Sequence, residues 1–211
     1  SAFEAAVDSA PQEQIQHAEQ LLYEIAETGR YGGGFETFET ALDSAIDRAA
    51  QAYESDGKLS GLATGLKDLD ARLGGLQPTD LIVVAGRPGM GKTALATNIA
   101  FNVASAYDST RQVDRAPQPT AGGIVAFFSL EMSSEQLATR VLAEQAEISS
   151  SSIRRGEIGE TEFNRLLDRR QKMRRIPLFI DQTGAISIAQ LAARARRLKR
   201  QRGLHLIVVD Y

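Results

Sequence analysis

The sequence contains no cysteine and no tryptophan, and its two histidines, His17 and His205, lie far apart. The absence of cysteine excludes a disulfide framework and any thiolate-bound metal. Two distant histidines give no basis for a His-type zinc centre. Long apolar runs are also missing. The longest, such as Leu81–Ala85, have the length of a strand and fall far short of the roughly 20 residues that span a bilayer. No basic–apolar–small leader opens the chain, which points to the cytoplasm and to no membrane partner. The remaining composition, 43% apolar and 24% charged over 211 residues, excludes wholesale disorder and suits one sizeable domain with an appendage.

The net charge of −3 conceals an uneven distribution. Residues 1–60 hold 12 acidic and 3 basic side chains, whereas residues 154–202 hold 14 basic and 5 acidic ones. A basic segment can follow a phosphate backbone or can simply be a solvated helix face. The crowd at Arg194, Arg196, Arg197, Lys199, Arg200 and Arg202 has no interleaved aromatics, so it offers no stacking platform for single strands.

Periodicity predicts a helix over 12–27 and a glycine hinge at Gly32-Gly33-Gly34. A second helix follows over 37–54, with Phe38, Leu42, Ala45, Ile46, Ala49 and Tyr53 on one face. That face either packs on its own domain or docks on a neighbouring subunit. Beyond Gly61, apolar strand-like runs (Leu81–Ala85, Ile124–Ser129, Pro177–Asp181, Leu206–Asp210) alternate with helical patterns near 92–106, 134–147, 160–175 and 187–202. This alternation predicts an α/β fold, a mostly parallel sheet buried on both faces and flanked by helices. Residues 108–123 read as a surface loop. The expected division is 1–34 as a helix plus glycine hinge, 35–57 as a second helical segment, and 58–211 as the α/β part. Both ends read as cut from something longer.

Gly86-Arg87-Pro88-Gly89-Met90-Gly91-Lys92-Thr93 follows an apolar run and opens a helical pattern. It matches the Walker A loop, whose glycines let backbone N–H groups cradle phosphate oxygens at a helix N-terminus. Lys92 supplies a cation to the β and γ phosphates of ATP, and the Thr93 hydroxyl can ligate Mg²⁺. Asp210, ending Leu206–Asp210, reads as the Walker B acid and a second Mg²⁺ ligand. Glu131, in Ser129-Leu130-Glu131-Met132-Ser133, also follows a strand, where a carboxylate can deprotonate the attacking water. Its bland alternative is a helix-start acid, with Ser133 or Ser134 as N-cap. Asp181-Gln182-Thr183 offers either a polar group to the same crevice or turn and capping chemistry.

Together these motifs resemble the bacterial replicative DNA helicases of the DnaB family. The resemblance covers nearly the whole chain. It is carried by Gly61-Leu62-Ala63-Thr64-Gly65-Leu66-Lys67-Asp68-Leu69-Asp70, Gly74-Gly75-Leu76, Gly86–Thr93, Ser129–Ser133, Pro177–Thr183 and Val208-Val209-Asp210-Tyr211. It implies a RecA-like P-loop ATPase in a homohexameric ring, moving 5′ to 3′ along single-stranded DNA by ATP hydrolysis. It also implies a bacterial, nucleoid-associated setting, primase and a helicase loader as partners, and a linker helix, 37–54 by position, docked on the adjacent subunit. Lys92 and Thr93 match the family's phosphate and Mg²⁺ residues, Glu131 its catalytic glutamate and Asp210 its Walker B acid. The chain departs from the family at Gln182, where a second acid is common, and at Thr79-Asp80, which replaces a glycine–acid pair. The family's arginine finger and DNA-binding loops lie beyond the position of Tyr211, so the isolated chain is expected to bind nucleotide with at most slow turnover. Another RecA-like ATPase of recombinase or clock type, and a non-catalytic ring-assembly module, are the competing readings.

Overall fold

The architecture is organised around one central strand, β1 (Val125–Ser129), all five residues of which are buried. In the computed structural model, which describes residues 16–17, 19–20, 37–54, 59–108 and 122–211, β1 lies between β2 (Leu178–Asp181) and β3 (Leu206–Asp210), both parallel to it. Successive side chains of a strand point to opposite faces. Val125 and Phe127 therefore share a core with Ala100, Val103, Ala104 and Leu137, while Ala126 and Phe128 pack with Ala195, Leu191 and Leu198. The helices are α1 (Phe38–Glu54), α2 (Lys67–Leu73), α3 (Lys92–Ser105), α4 (Ser134–Ala146), α5 (Ser150–Arg155), α6 (Glu160–Met173) and α7 (Ile188–Arg202). Helix α3 covers one face of the sheet and α7 the other, giving the expected three-layer α/β arrangement. Helices α4, α5 and α6 form a satellite around Ala146, Ile148 and Leu166.

One expected strand is not present. Leu81–Ala85 forms no sheet hydrogen bonds among the described residues, with Leu81 89% and Val83 77% exposed. The outer edge of β3 is likewise unpaired among the described residues, and β3 alternates between half-buried and exposed. Apolar composition states what a segment can bury, and a strand needs a partner as well. The expectation of strands buried on both faces thus holds for β1 alone. Helix α1 begins one residue later than expected, and Phe38 (77%), Ile46 (67%) and Tyr53 (89%) are exposed, so its apolar face does not pack on its own domain. Of the helix expected at 12–27, Gln16, His17, Glu19 and Gln20 are described and helical. The rest of it, the glycine hinge and most of the 108–123 loop lie outside the described residues. Helices α2 and α5 were not anticipated by the pattern; both are short, at 7 and 6 residues.

The segment before the P-loop is tied to α3 by a buried polar cluster. Asp70, 7% exposed, accepts from Thr64 N (2.8 Å), Thr64 Oγ1 (2.7 Å) and Gly65 N (3.2 Å). Asn102 Nδ2 of α3 donates to Thr64 O at 3.1 Å. Next to it, Leu62 and Leu76 exchange both backbone hydrogen bonds at 2.8 Å. Here Gly61 and Gly75 meet backbone to backbone, and a Cβ on Gly75 would lie 2.6 Å from the Gly61 carbonyl. Glycine at 61 and 75 is therefore a steric requirement, whereas Gly74, at φ +70°, answers a conformational one. Thr79 sits at φ +77°, a left-handed conformation that costs a non-glycine residue about 1–2 kcal/mol, at the position where the family resemblance places glycine.

His205 immediately precedes β3, and its Nδ1 accepts from Ile124 N at 3.0 Å. Burial, and secondarily the nearby Lys199 charge, hold its pKa below the ordinary 6.5. The unfolded chain therefore binds more protons through this window, and stability rises with pH there. Stability from this group is expected to be full above about pH 6.5 and to fall on acidification. Urea unfolding at successive pH values checks this, and the slope should disappear in His205→Asn. For the polar cluster, Asp70→Ala strips three donors of their acceptor at a buried site. A loss of about 2–4 kcal/mol is expected in the same measurement.

Candidate functional site

The parallel register brings the C-terminal ends of all three strands to one edge of the sheet, pairing Ser129 with Asp210 and Phe128 with Asp181. Open α/β sheets bind ligands at this edge. Helix α3 starts at the same edge with Gly91 as its N-cap at φ +85°, preceded by Gly89 at φ +77°. A Cβ at either glycine would meet nothing within 4 Å, so the requirement is conformational, the tight positive-φ turn of a phosphate loop. The backbone N–H groups of Gly89, Gly91, Lys92 and Thr93 have no hydrogen-bond acceptor among the described residues. Of these four residues, Gly91 and Lys92 line a cavity of about 490 Å³, together with Val84, Ala85, Gly86, Arg87, Met90 and Leu95. The ammonium of Lys92 folds back onto this loop and donates to Gly86 O (2.9 Å) and Arg87 O (3.3 Å).

Thr93 and Asp210 are in contact. Thr93 Oγ1 donates to Asp210 Oδ1 at 3.0 Å. The other carboxylate oxygen, Asp210 Oδ2, is buried and has no hydrogen-bond partner. A buried, unsatisfied carboxylate oxygen is costly unless something else fills it. A hydroxyl and a carboxylate form a hard-oxygen set of the type Mg²⁺ takes when phosphates and waters complete its shell. The residues present therefore fit the ion. No group of three or more His, Cys, Asp or Glu side chains able to hold a metal occurs among the described residues.

Glu131 lies two residues past β1. It is exposed, and among the described residues its carboxylate makes no hydrogen bond or ion pair. The capping expected of the α4 start, with Ser133 or Ser134 as N-cap and Glu135 in the first turn, is present two residues beyond Glu131. Ser133 is the N-cap, in a capping box with Gln136. The loop carrying Glu131 is anchored to β3 by Leu130 N donating to Asp210 O at 2.8 Å.

Asp181, Gln182 and Thr183 do more than turn the chain. Arg194 Nη1 donates to Asp181 Oδ2 (2.6 Å) and to Thr183 Oγ1 (2.7 Å), and Thr183 N donates to Asp181 Oδ1 (3.0 Å). Partial burial pushes the Asp181 carboxyl up. The Arg194 guanidinium and the Thr183 donors outweigh this and hold it below the usual carboxylate range. The N-cap of α7 is Ser187, so this trio does not cap it. Sequence reasoning left Gln182 without a role, but its Oε1 accepts from Ser134 N at 2.7 Å. The signal available was its place directly after a strand end. Within the basic crowd, Arg194 is engaged by Asp181, and Arg202 lies 5.6 Å over the Phe179 ring.

No helix among the described residues is long and apolar enough to cross a membrane. Comparison with solved structures gives an ATPase domain at TM-score 0.67 and 21% identity, covering 84% of this chain and 58% of that one. A DnaB-like replicative helicase, described with its interactions with primase, matches at TM-score 0.64 and 22% identity, covering 99% and 46%. At these identities the likeness speaks to the fold alone. Sequence relatives go further. The replicative DNA helicase DnaB of Rickettsia conorii is 39% identical over 211 residues, all of this chain and 42% of that protein. That of Geobacillus stearothermophilus is 32% identical over 197 residues, 93% of this chain and 40% of that protein. The chain thus spans about two fifths of the length of these relatives. Residues 61–211 match the family model described as DnaB-like helicase C terminal domain, and with Gly86–Thr93, Glu131 and Asp210 gathered at one sheet edge, the chain belongs to that family.

Proposed function

We propose that this chain carries one half of the ATP site of a ring-shaped replicative DNA helicase. ATP hydrolysis at this site would drive 5′-to-3′ movement on single-stranded DNA and unwinding of the duplex. The observation that carries the reading is the Thr93–Asp210 contact with its unsatisfied Asp210 Oδ2, directly beside the phosphate loop. The relatives named above favour the helicase over the recombinase, clock-type and assembly-module readings.

In this reading the N–H groups of Gly89, Gly91, Lys92 and Thr93 bind the β and γ phosphates. Lys92 exchanges its two carbonyl partners for phosphate oxygens and screens the charge that develops during transfer. Thr93 and Asp210 would hold Mg²⁺, which supplies charge neutralisation between the phosphates. Glu131 accepts a proton from the water that attacks the γ phosphorus, and its exposure leaves it free to reach that water. The phosphorus–oxygen bond to ADP breaks as the bond to the water oxygen forms. An arginine from a neighbouring subunit would complete the site, a contribution of about 10³–10⁵ in rate.

The partners follow from the same resemblance: single-stranded DNA in the ring, primase, a loader, and further copies of the chain. Helix α1 is the docking element toward a second copy. Covering Phe38, Leu42 and Ile46 would each contribute about 1.5–3 kcal/mol, and Glu39, Asp43 and Asp47 add a charge pattern along the same helix.

Steady-state ATPase assays on the full-length gene product test the site. Lys92→Ala is expected to abolish turnover. Glu131→Gln is expected to keep ATP binding and lose about 10²-fold or more in kcat. Undiminished hydrolysis by the Lys92 variant would remove the basis of the assignment. For assembly, Leu42→Asp is expected to shift the hexamer to smaller species in analytical ultracentrifugation.

A further inference from the structure

The loop that presents Glu131 is held from both ends. On the strand side, Leu130 N donates to Asp210 O (2.8 Å) and Met132 N to the buried Ser129 Oγ (3.2 Å). On the helix side, Ser133 and Gln136 bond each other, at 3.0 Å and 3.2 Å, within the capping box of α4. Those two bonds move with the helix and fix nothing relative to the sheet. The hydrogen bond that crosses from the start of α4 to another crossover is Ser134 N to Gln182 Oε1, at 2.7 Å. The 182–184 turn lies against the same loop, since a Cβ on Gly184 would sit 3.7 Å from Leu130 O. The turn is in turn clamped by Arg194, through Asp181 and Thr183.

We propose that Gln182 is a positioning residue for Glu131: its amide oxygen, set at the end of β2, fixes the helix-side arm of the loop from which Glu131 reaches the attacking water. The proposal rests on the reading of Glu131 as the general base. The first N–H groups of a helix have no partner inside it. An acceptor supplied by a neighbouring crossover therefore sets where the helix starts relative to the sheet. What the position needs is an acceptor oxygen at this reach, not a charge, and glutamine meets that need where the family resemblance places an acid. Small displacements of a reacting group reduce the rate steeply without weakening ground-state binding.

The test is DNA-stimulated ATP hydrolysis by the full-length gene product carrying Gln182→Ala, Gln182→Glu, Glu131→Gln, or Glu131→Gln with Gln182→Ala. Binding of a fluorescent ADP analogue and thermal unfolding are followed in parallel. Gln182→Ala is expected to lower kcat about tenfold with KM for ATP and analogue binding within about twofold. Gln182→Glu, which restores the acceptor, should recover most of the lost rate. The double variant should be no slower than Glu131→Gln alone, because a displaced base and an absent base are the same loss. Wild-type kcat in Gln182→Ala alongside an inactive Glu131→Gln would overturn the positioning role and leave the base reading standing. Multiplying losses in the double variant, or no rescue by glutamate, would also overturn it. An active Glu131→Gln would overturn both together.

Discussion

Thr93 Oγ1 and Asp210 Oδ1 meet at 3.0 Å across a sequence separation of 117 residues, and the geometry of the site depends on that contact. It joins the first turn of α3 to the last residue of β3. It requires the phosphate-loop helix to cross the sheet with its N-terminus at the strands' C-terminal edge. The packing of Ala100, Val103 and Ala104 on Val125 and Phe127 supplies the rigid body that keeps it there. The helix carries no side-chain cap at Gly91. Its first N–H groups are left for an anion, and local helix stability at that end depends on what binds.

The segment that carries Glu131 is linked to Asp210 through the backbone. Asp210 offers its side chain to Thr93 and its main-chain carbonyl to Leu130. A shift of β3 is thereby felt at the loop of Glu131 one hydrogen bond away. The Arg194–Asp181–Thr183 clamp braces the far side of the same loop through Gln182. Three crossovers that are remote in sequence converge on one short segment, which is how a small sheet can hold an exposed carboxylate in place.

Much of this was legible in the sequence because the signals are local. The P-loop glycines, the helix starting at Lys92, β3 ending on Asp210 and the stripe of Leu191, Ala195 and Leu198 all depend on spacing along one element. What escaped was relational. Leu81–Ala85 has strand composition, yet pairing is a property of two segments, and the pattern of one cannot report the other. Gln182 looked like the loss of an acid because residue type was visible and its partner, Ser134 N, was not. Arg194 read as one charge in a basic crowd until Asp181 was found against it. The roles of Asp70 and of the Gly61–Gly75 approach were hidden in a motif whose spacing was plain and whose contacts were not.

The edge of β3 that has no strand partner among the described residues has a practical consequence for handling this chain. Ile207 and Val209 are 43% and 45% exposed, and the apolar side chains of Leu81 to Val84 stand in solvent as well. A strand edge with free N–H and C=O groups beside apolar surface is a template for strand addition by any chain that can extend. Neither proline nor lysine guards β3, whose sequence is Leu-Ile-Val-Val-Asp, and such a segment has the composition of an aggregation nucleus. The strand that ends in Asp210 thereby offers a site for self-association. A solubilising charge placed at Ile207 would act on the same ladder that sets the position of Asp210.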